Sequence, residues 1–117
     1  MTNSAVPSLA LVVEDDQLQR KILSDTLKDE NMDVIQCESA EAAELVIARV
    51  GAELRLLVTD VKLAGPASGI ALAEFAQQNF PGLIVVVSGE DELVLPLQFR
   101  FLKKPYRPSD VLRLVAF

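Results

Sequence analysis

The sequence predicts an α/β fold built on a doubly wound, five-stranded parallel sheet. Short apolar runs, typical of strands buried on both faces, alternate along the chain with segments whose apolar residues have helical spacing. This alternation indicates βαβ units, in which helices cover both faces of a parallel sheet. No linker-like or repetitive stretch interrupts the 117 residues, so we expect one domain, 1–117, with its core over residues 9–117 and an N-terminal extension, 1–8.

Five short segments rich in apolar and β-branched residues are the predicted strands. They cover residues 9–13, 34–37, 56–59, 83–87 and 99–103. Five strands in a domain of this size fit the flavodoxin-like order 2-1-3-4-5. In that order the winding reverses between the first and third strands. Ligands of such sheets bind at this switch point, beyond the carboxyl ends of the strands.

The first predicted helix covers residues 17–30. Its apolar residues recur at helical spacing, at Leu18, Ile22, Leu23 and Leu27. Asp16 is expected to cap the helix, with Gln19 as its reciprocal partner in a capping box.

Three further helices are predicted over residues 39–50, 69–79 and 109–117. Ser39 and Ser68 precede the first two as caps, and Gly51 follows the first as an expected C-terminal cap. Only about ten residues, interrupted by Pro96, separate Ser88 from the last strand, fewer than a full crossover helix needs. The fourth crossover helix is therefore expected to be short, irregular or absent.

The composition excludes several kinds of chemistry. The chain has no histidine, which rules out Ser-His-Asp and Cys-His catalysis, so any metal site must use oxygen ligands. Its one cysteine, Cys37, cannot form an internal disulfide and is interpreted as a small core residue. The net charge of −6 disfavours nucleic acid and anionic membranes as partners. With no secretory signal or bilayer-spanning stretch in view, we expect a cytoplasmic protein.

Carboxylates follow the two strands that flank the expected switch point. Glu14, Asp15 and Asp16 come directly after the first strand, and Asp60 ends the third. Crowded carboxylates repel one another unless a cation compensates them, and Mg²⁺ prefers such oxygen ligands. An acidic helix start would also account for residues 14–16 alone, because acids stabilise the helix dipole. The separate acid on the neighbouring strand favours the metal site.

The fourth and fifth strands add a hydroxyl and a cation to the same edge of the sheet. Ser88 ends the fourth strand and Lys104 follows the fifth. Taken singly, Ser88 could be an ordinary turn residue and Lys104 a solvated surface charge. Together with a magnesium site and Asp60, they provide what phosphoryl transfer onto an aspartate requires, because the cations neutralise the phosphoryl oxygens and the hydroxyl donates a hydrogen bond to one.

Two motifs now identify a resemblance that covers nearly the whole chain. The run Leu-Val-Val-Glu-Asp-Asp over residues 11–16 and the sequence Lys-Pro-Tyr over residues 104–106 make the chain resemble the CheY-like receiver domain of two-component response regulators. The resemblance implies that Asp60 is the phosphoacceptor. It also implies roles for the following residues: Glu14, Asp15 and the backbone carbonyl of Lys62 as further Mg²⁺ ligands, Ser88, Lys104 and Phe101 as phosphoryl-stabilising and switch residues, and Pro105 after a cis peptide bond.

Two segments depart from the common receiver pattern. The stretch after Asp60 lacks the usual Met-Pro, and the stretch between Ser88 and Lys104 is several residues short. In these respects the chain resembles a subgroup of small single-domain receivers with a degenerate fourth helix, which are often partnered by HWE or HisKA2-type sensor kinases. In the family pattern, Ser88 is coupled to Phe101 and the coupling repositions the fourth helix. The short segment between Ser88 and Lys104 puts that coupling in question here.

The resemblance implies a stand-alone signalling protein rather than an enzyme acting on a separate substrate. Its expected partners are a sensor histidine kinase or a phosphotransfer protein, and a downstream protein target. We expect a monomer or a weak homodimer. Residues 89–98 and 99–106 are the predicted contact surface. The face of the last helix around Val111, Leu112 and Val115 is interpreted as ordinary core, with dimerisation as the alternative.

Two other functions are compatible with parts of the pattern. A pseudo-receiver would keep the fold as a binding module without accepting phosphate, but every side chain needed for acceptance is present. A Mg²⁺-dependent phosphohydrolase of similar topology usually has a second acid two residues after its nucleophile. That position is Lys62 here, which argues against hydrolase chemistry.

Overall fold

The computed structural model describes residues 8–63, 65, 68–89 and 99–115. Five parallel strands form one sheet in the order β2-β1-β3-β4-β5, which confirms the predicted fold class and strand order. The strands are Ser8–Val13 (β1), Met32–Cys37 (β2), Leu54–Asp60 (β3), Leu83–Ser88 (β4) and Arg100–Lys103 (β5). The predicted N-terminal extension and the fourth crossover, residues 90–98, lie outside the described residues.

Four α-helices belong to the described part of the chain. They are Gln17–Asp29 (α1), Ala40–Val50 (α2), Gly69–Asn79 (α3) and Pro108–Val115 (α4). The predicted caps are present: the side chains of Asp16, Ser39 and Ser68 accept hydrogen bonds from backbone N–H groups in the first turns of α1, α2 and α3. Among these described helices, none is long and apolar enough to cross a membrane.

The three inner strands divide the core into two layers. Along β1, Leu11 and Val13 pack toward α2 and α3, whereas Ala10 and Val12 pack with residues of α1 and α4. The same alternation continues along β3 and β4, because successive strand residues point to opposite faces. With both faces apolar, polar side chains can leave the sheet where each strand ends. The fold thus places its chemistry at the carboxyl edge.

Helix α1 is rotated relative to the apolar stripe that its sequence suggests. Leu23 and Leu27 are buried as predicted, but Leu18 is 66% exposed and Ile22 is 48% exposed. Arg20 and Ser24 are buried in their place. The helix itself was predicted correctly, but the helical spacing of its apolar residues did not identify which of them face the core.

Gly51 follows α2 as its C-cap, as predicted, but its backbone is not left-handed. Its φ of −55° lies in the right-handed region, and the chain continues as a 3₁₀ turn, Gly51–Glu53. A Cβ atom at this position would lie 2.5 Å from the backbone oxygen of Asn79 at the end of α3. Glycine is needed here because α2 and α3 approach each other closely.

The last helix, α4, packs as core. Val111 is fully buried, and Leu112 and Val115 are half-buried against the layer that contains α1. This packing agrees with the core interpretation of these three residues. The predicted last two residues of the helix lie outside the described part of the chain.

Candidate functional site

The carboxyl ends of four adjacent strands bring the candidate residues to one edge of the sheet. Glu14 follows β1 and Lys104 follows β5, while Asp60 and Ser88 are the last residues of β3 and β4. Glu14, Asp60 and Ser88 are all buried, with 6%, 8% and 2% of their surfaces exposed. Buried polar side chains need partners, so their neighbours decide what the site can do.

Lys104 bridges the two buried carboxylates. Its Nζ lies 2.5 Å from Asp60 Oδ2 and 3.2 Å from Glu14 Oε1. Burial alone lowers the pKa of this ammonium, but its bonds to Asp60 and Glu14 outweigh that effect and leave the pKa raised. Burial also raises the pKa of the Glu14 carboxyl, and the nearby charge of Asp60 adds to the rise. Lys104 is therefore charged at neutral pH and directed at the two acids.

Three carboxylates form a possible metal site. Glu14, Asp15 and Asp60 each offer one oxygen, and these oxygens lie within 4.8 Å of one another. The ammonium of Lys104 contacts two of these acids, Glu14 and Asp60. A divalent cation relieves the repulsion among crowded carboxylates, and the all-oxygen donor set is the one Mg²⁺ prefers. The residues therefore fit the metal.

The backbone around Asp60 holds its side chain in place. The N–H of Lys62 donates to Asp60 Oδ1 at 3.2 Å. The N–H of Val61 donates to the carbonyl of Val87 on β4, and the carbonyl of Val61 accepts from the N–H of Gly69 at 2.8 Å. Asp60 thus sits between a strand end and a fixed turn. Its Oδ1 and Oδ2 both accept hydrogen bonds, and a carboxylate oxygen has lone pairs for more than one partner.

The turn between β1 and α1 is held by a residue that the sequence analysis missed. Arg20 is 9% exposed, and its Nη1 donates to the backbone carbonyl of Glu14 at 2.8 Å. The N–H of Asp16 donates to Glu14 Oε2 at 3.0 Å, in place of the capping-box bond expected from Gln19. A sequence signal existed, because Arg20 has helical spacing with Leu23 and Leu27, the residues that face the core.

The remaining predicted residues occupy the outer part of the same edge. Phe101 on β5 is 39% exposed, and the peptide bond between Lys104 and Pro105 is cis. Burial, with a smaller contribution from the charge of Glu14, raises the pKa of Tyr106 to about 12. A groove of about 530 Å³ runs between α1 and the turn after β5. It is lined by Gln19, Ile22, Leu23, Lys104, Pro105, Tyr106 and Pro108.

Comparison with known proteins agrees with this description. Residues 10–116 match the family model of the response regulator receiver domain. The chain is also 30% identical over 86 residues to the transcriptional regulatory protein AruR of Pseudomonas aeruginosa, an alignment that covers 71% of this chain and 35% of AruR. The chain thus corresponds to about a third of the length of that relative.

Solved structures show the same fold. A response regulator receiver protein from Sinorhizobium medicae superposes with a TM-score of 0.85 at 24% identity, covering 97% of this chain and 94% of that protein. The receiver domain of the hybrid histidine kinase CckA superposes with a TM-score of 0.80 at 22% identity, covering 92% and 94% of the two chains.

A parallel sheet in the order 2-1-3-4-5, with an acidic crevice at its switch point, places the chain in the flavodoxin-like class of doubly wound α/β domains. Within that class, the chain belongs to the response regulator receiver family of two-component systems. Receiver domains are generally signalling domains and not enzymes. They interact with histidine kinases and with downstream targets. The predicted family is thereby confirmed, whereas the roles of individual residues remain predictions.

Proposed function

We propose that this chain is a receiver that takes a phosphoryl group from a histidine kinase onto Asp60 in a Mg²⁺-dependent reaction. The observation that carries the proposal is the convergence of Glu14, Asp15, Asp60 and Lys104 within one crevice. In the proposal, output passes through protein contacts or onward transfer of the phosphoryl group.

The chemistry assigned to the crevice is an in-line displacement. A carboxylate oxygen of Asp60 attacks the phosphorus of a phosphohistidine, so that an O–P bond forms as the N–P bond breaks and the imidazole departs. Lys104, already directed at Asp60, donates to a phosphoryl oxygen, and the Ser88 hydroxyl is proposed to donate to another. Glu14, Asp15, Asp60 and the carbonyl of Lys62 would hold Mg²⁺, which supplies neutralising charge when bound.

Acetyl phosphate as phosphodonor and intact mass as readout test this function directly. We expect wild-type protein to gain one phosphoryl group in the presence of Mg²⁺ and none in excess EDTA. Asp60→Asn should gain none under either condition. Asp16→Asn is the matched control: it makes the same change on an exposed carboxylate outside the metal trio, and asparagine remains a good helix cap.

Either of two results would contradict the proposal. Wild-type protein that stays unmodified under these conditions would favour a pseudo-receiver. Modification that persists in Asp60→Asn would place the acceptor elsewhere.

The surface beside the crevice supports a protein as phosphodonor. Leu18 and Ile22 project apolar side chains into solvent from α1, and Ile22 lines the groove that ends at Lys104. A donor protein that brings its phosphohistidine to Asp60 must cover this neighbourhood. Exposed apolar residues there favour docking by an apolar surface. We propose a sensor kinase of the HWE or HisKA2 type, or a phosphotransfer protein, as the donor.

Replacing Ile22 by serine separates docking from chemistry. We expect phosphotransfer from a phosphorylated HWE or HisKA2-type kinase to slow about fivefold to tenfold, as for loss of an interface hot spot. Phosphorylation by acetyl phosphate should remain unchanged, because the small donor needs no docking surface. Leu45→Ser is the control, since Leu45 is 68% exposed on α2, away from the groove. Equal slowing in both variants, or in neither, would refute docking at α1.

A further inference from the structure

A buried arginine lies behind the acidic crevice and contacts its backbone rather than its carboxylates. Arg20 lies in the first turn of α1, just after the loop that carries Glu14 and Asp15, and it is 9% exposed. Its guanidinium donates to the carbonyl of Glu14 at 2.8 Å, and its second nitrogen lies 3.5 Å from Glu38 Oε1 after β2. A buried guanidinium is costly unless it is well paired, so its placement here calls for a function.

Arg20 contacts both ends of the turn that carries the metal-side acids, but only the contact with Glu14 is made by its side chain. Its side chain binds the carbonyl of Glu14, and its backbone N–H donates to the carbonyl of Asp16 at 3.0 Å. The N–H of Glu14 donates to the carbonyl of Cys37 at 3.1 Å, which ties the start of the turn to β2. The carbonyl of Glu14 and the N–H of Asp16, which belong to the peptide groups on either side of Asp15, are both hydrogen-bonded, although Asp15 itself is exposed.

The geometry points to Arg20 as a positioning residue for the metal site. It acts through the Glu14 carbonyl and keeps Glu14 and Asp15 in the arrangement in which their oxygens converge with that of Asp60. Glu38 satisfies the outer nitrogen and partly balances the charge. This inference rests on the proposed Mg²⁺-dependent function and extends it to a residue outside the ligand set. Mutation of residues that orient metal ligands in this way commonly weakens metal affinity by about 10-fold to 100-fold.

The sign of the effect distinguishes positioning from simple electrostatics. Arg20 is a cation near a site that would bind a cation, so loss of its charge alone would tighten Mg²⁺ binding. Loss of a purely structural contact would lower the free energy of unfolding and leave the Mg²⁺ affinity of the folded protein unchanged. Loss of positioning would weaken Mg²⁺ binding in spite of the favourable change in charge. The three roles therefore predict three different results.

The experiment measures the Kd for Mg²⁺ by calorimetry in wild type, Arg20→Met, Arg20→Lys and Lys21→Met, with circular dichroism to confirm folding. We expect Arg20→Met to raise the Kd about tenfold or more. Arg20→Lys keeps the charge but loses the planar fork that reaches Glu14 and Glu38 together, and is expected to lie between Arg20→Met and wild type. Lys21→Met removes the same charge from an exposed neighbour and should stay near the wild-type value.

Each alternative outcome is decisive. An unchanged or lower Kd in Arg20→Met overturns the positioning role while leaving the proposed function intact. If Arg20→Met does not fold, Arg20→Lys takes its place, and a wild-type Kd in that variant overturns the role in the same way. Wild-type protein that binds no Mg²⁺ overturns the proposed function and this role with it.

Discussion

Lys104→Met is expected to slow phosphorylation of Asp60 by about 100-fold at saturating Mg²⁺. The ammonium lies 2.5 Å from Asp60 Oδ2, so it is placed to neutralise charge on an incoming phosphoryl group. The same substitution is expected to tighten Mg²⁺ binding, because it removes a positive charge that shares the carboxylates of Glu14 and Asp60 with the metal. The rate is measured by intact mass with acetyl phosphate, and the Mg²⁺ affinity by calorimetry.

Lys103→Met is the control for this prediction. Lys103 precedes Lys104 and is exposed, so its loss changes the net charge equally. We expect its rate and Mg²⁺ affinity to stay close to wild type. A Lys104→Met protein that is phosphorylated at the wild-type rate would show that this ammonium does not act on the phosphoryl group, whatever its role in the unphosphorylated protein.

Gly69→Ala is expected to lower the free energy of unfolding by about 3 kcal/mol. An added Cβ would lie 1.7 Å from the backbone oxygen of Asp60 and 3.0 Å from Thr59 Oγ1. The closest neighbour is backbone at the end of β3, so relief requires α3 to move away from the strand. That movement would also strain the bond from the Gly69 N–H to the carbonyl of Val61. Urea unfolding of the metal-free protein measures the change.

Gly89→Ala is the matched comparison. A Cβ at Gly89 meets nothing within 4 Å, and its position is exposed. We expect its free energy of unfolding to stay within about 0.5 kcal/mol of wild type, as for most surface substitutions. Equal stability of the two glycine variants would mean that the start of α3 tolerates a side chain against Asp60. The close approach of Gly69 to the Asp60 carbonyl would then not constrain the proposed phosphoacceptor.

The strands and their order were predictable because each inner strand is a continuous apolar run. Their ends were less predictable where a polar residue interrupts the run. Strand β3 begins at Leu54 rather than at residue 56. The exposed Arg55 interrupts the apolar run, so the hydrophobicity pattern does not include the first two residues of the strand. Strand β2 begins at Met32, before the exposed Asp33, for the same reason. Backbone pairing with β1 fixes these ends, and a single strand's sequence does not contain that information.

The members of the candidate site were predictable from their positions after strands, but their support was not. Glu14 and Asp60 follow the neighbouring strands β1 and β3, so their proximity follows from the strand order, whereas Lys104, after β5, reaches them across the end of β4 with its long side chain. The rotation of α1 depends on tertiary contacts: Arg20 turns inward because the Glu14 carbonyl offers a buried acceptor, and Ile22 is left outside. Apolar periodicity favoured the opposite choice for these two residues.

Tyr106 gives the molecule an optical reporter that requires no label. It is the single tyrosine of a chain without tryptophan, so ultraviolet emission on selective excitation comes from one known ring. That ring borders both the groove between α1 and the turn after β5 and a small cavity lined in part by Glu14 and Asp60. Carboxylates near a phenol quench its fluorescence according to their charge and distance. Metal binding and acyl-phosphate formation in the crevice should therefore be readable as an intensity change in the unmodified protein, in real time and at low concentration.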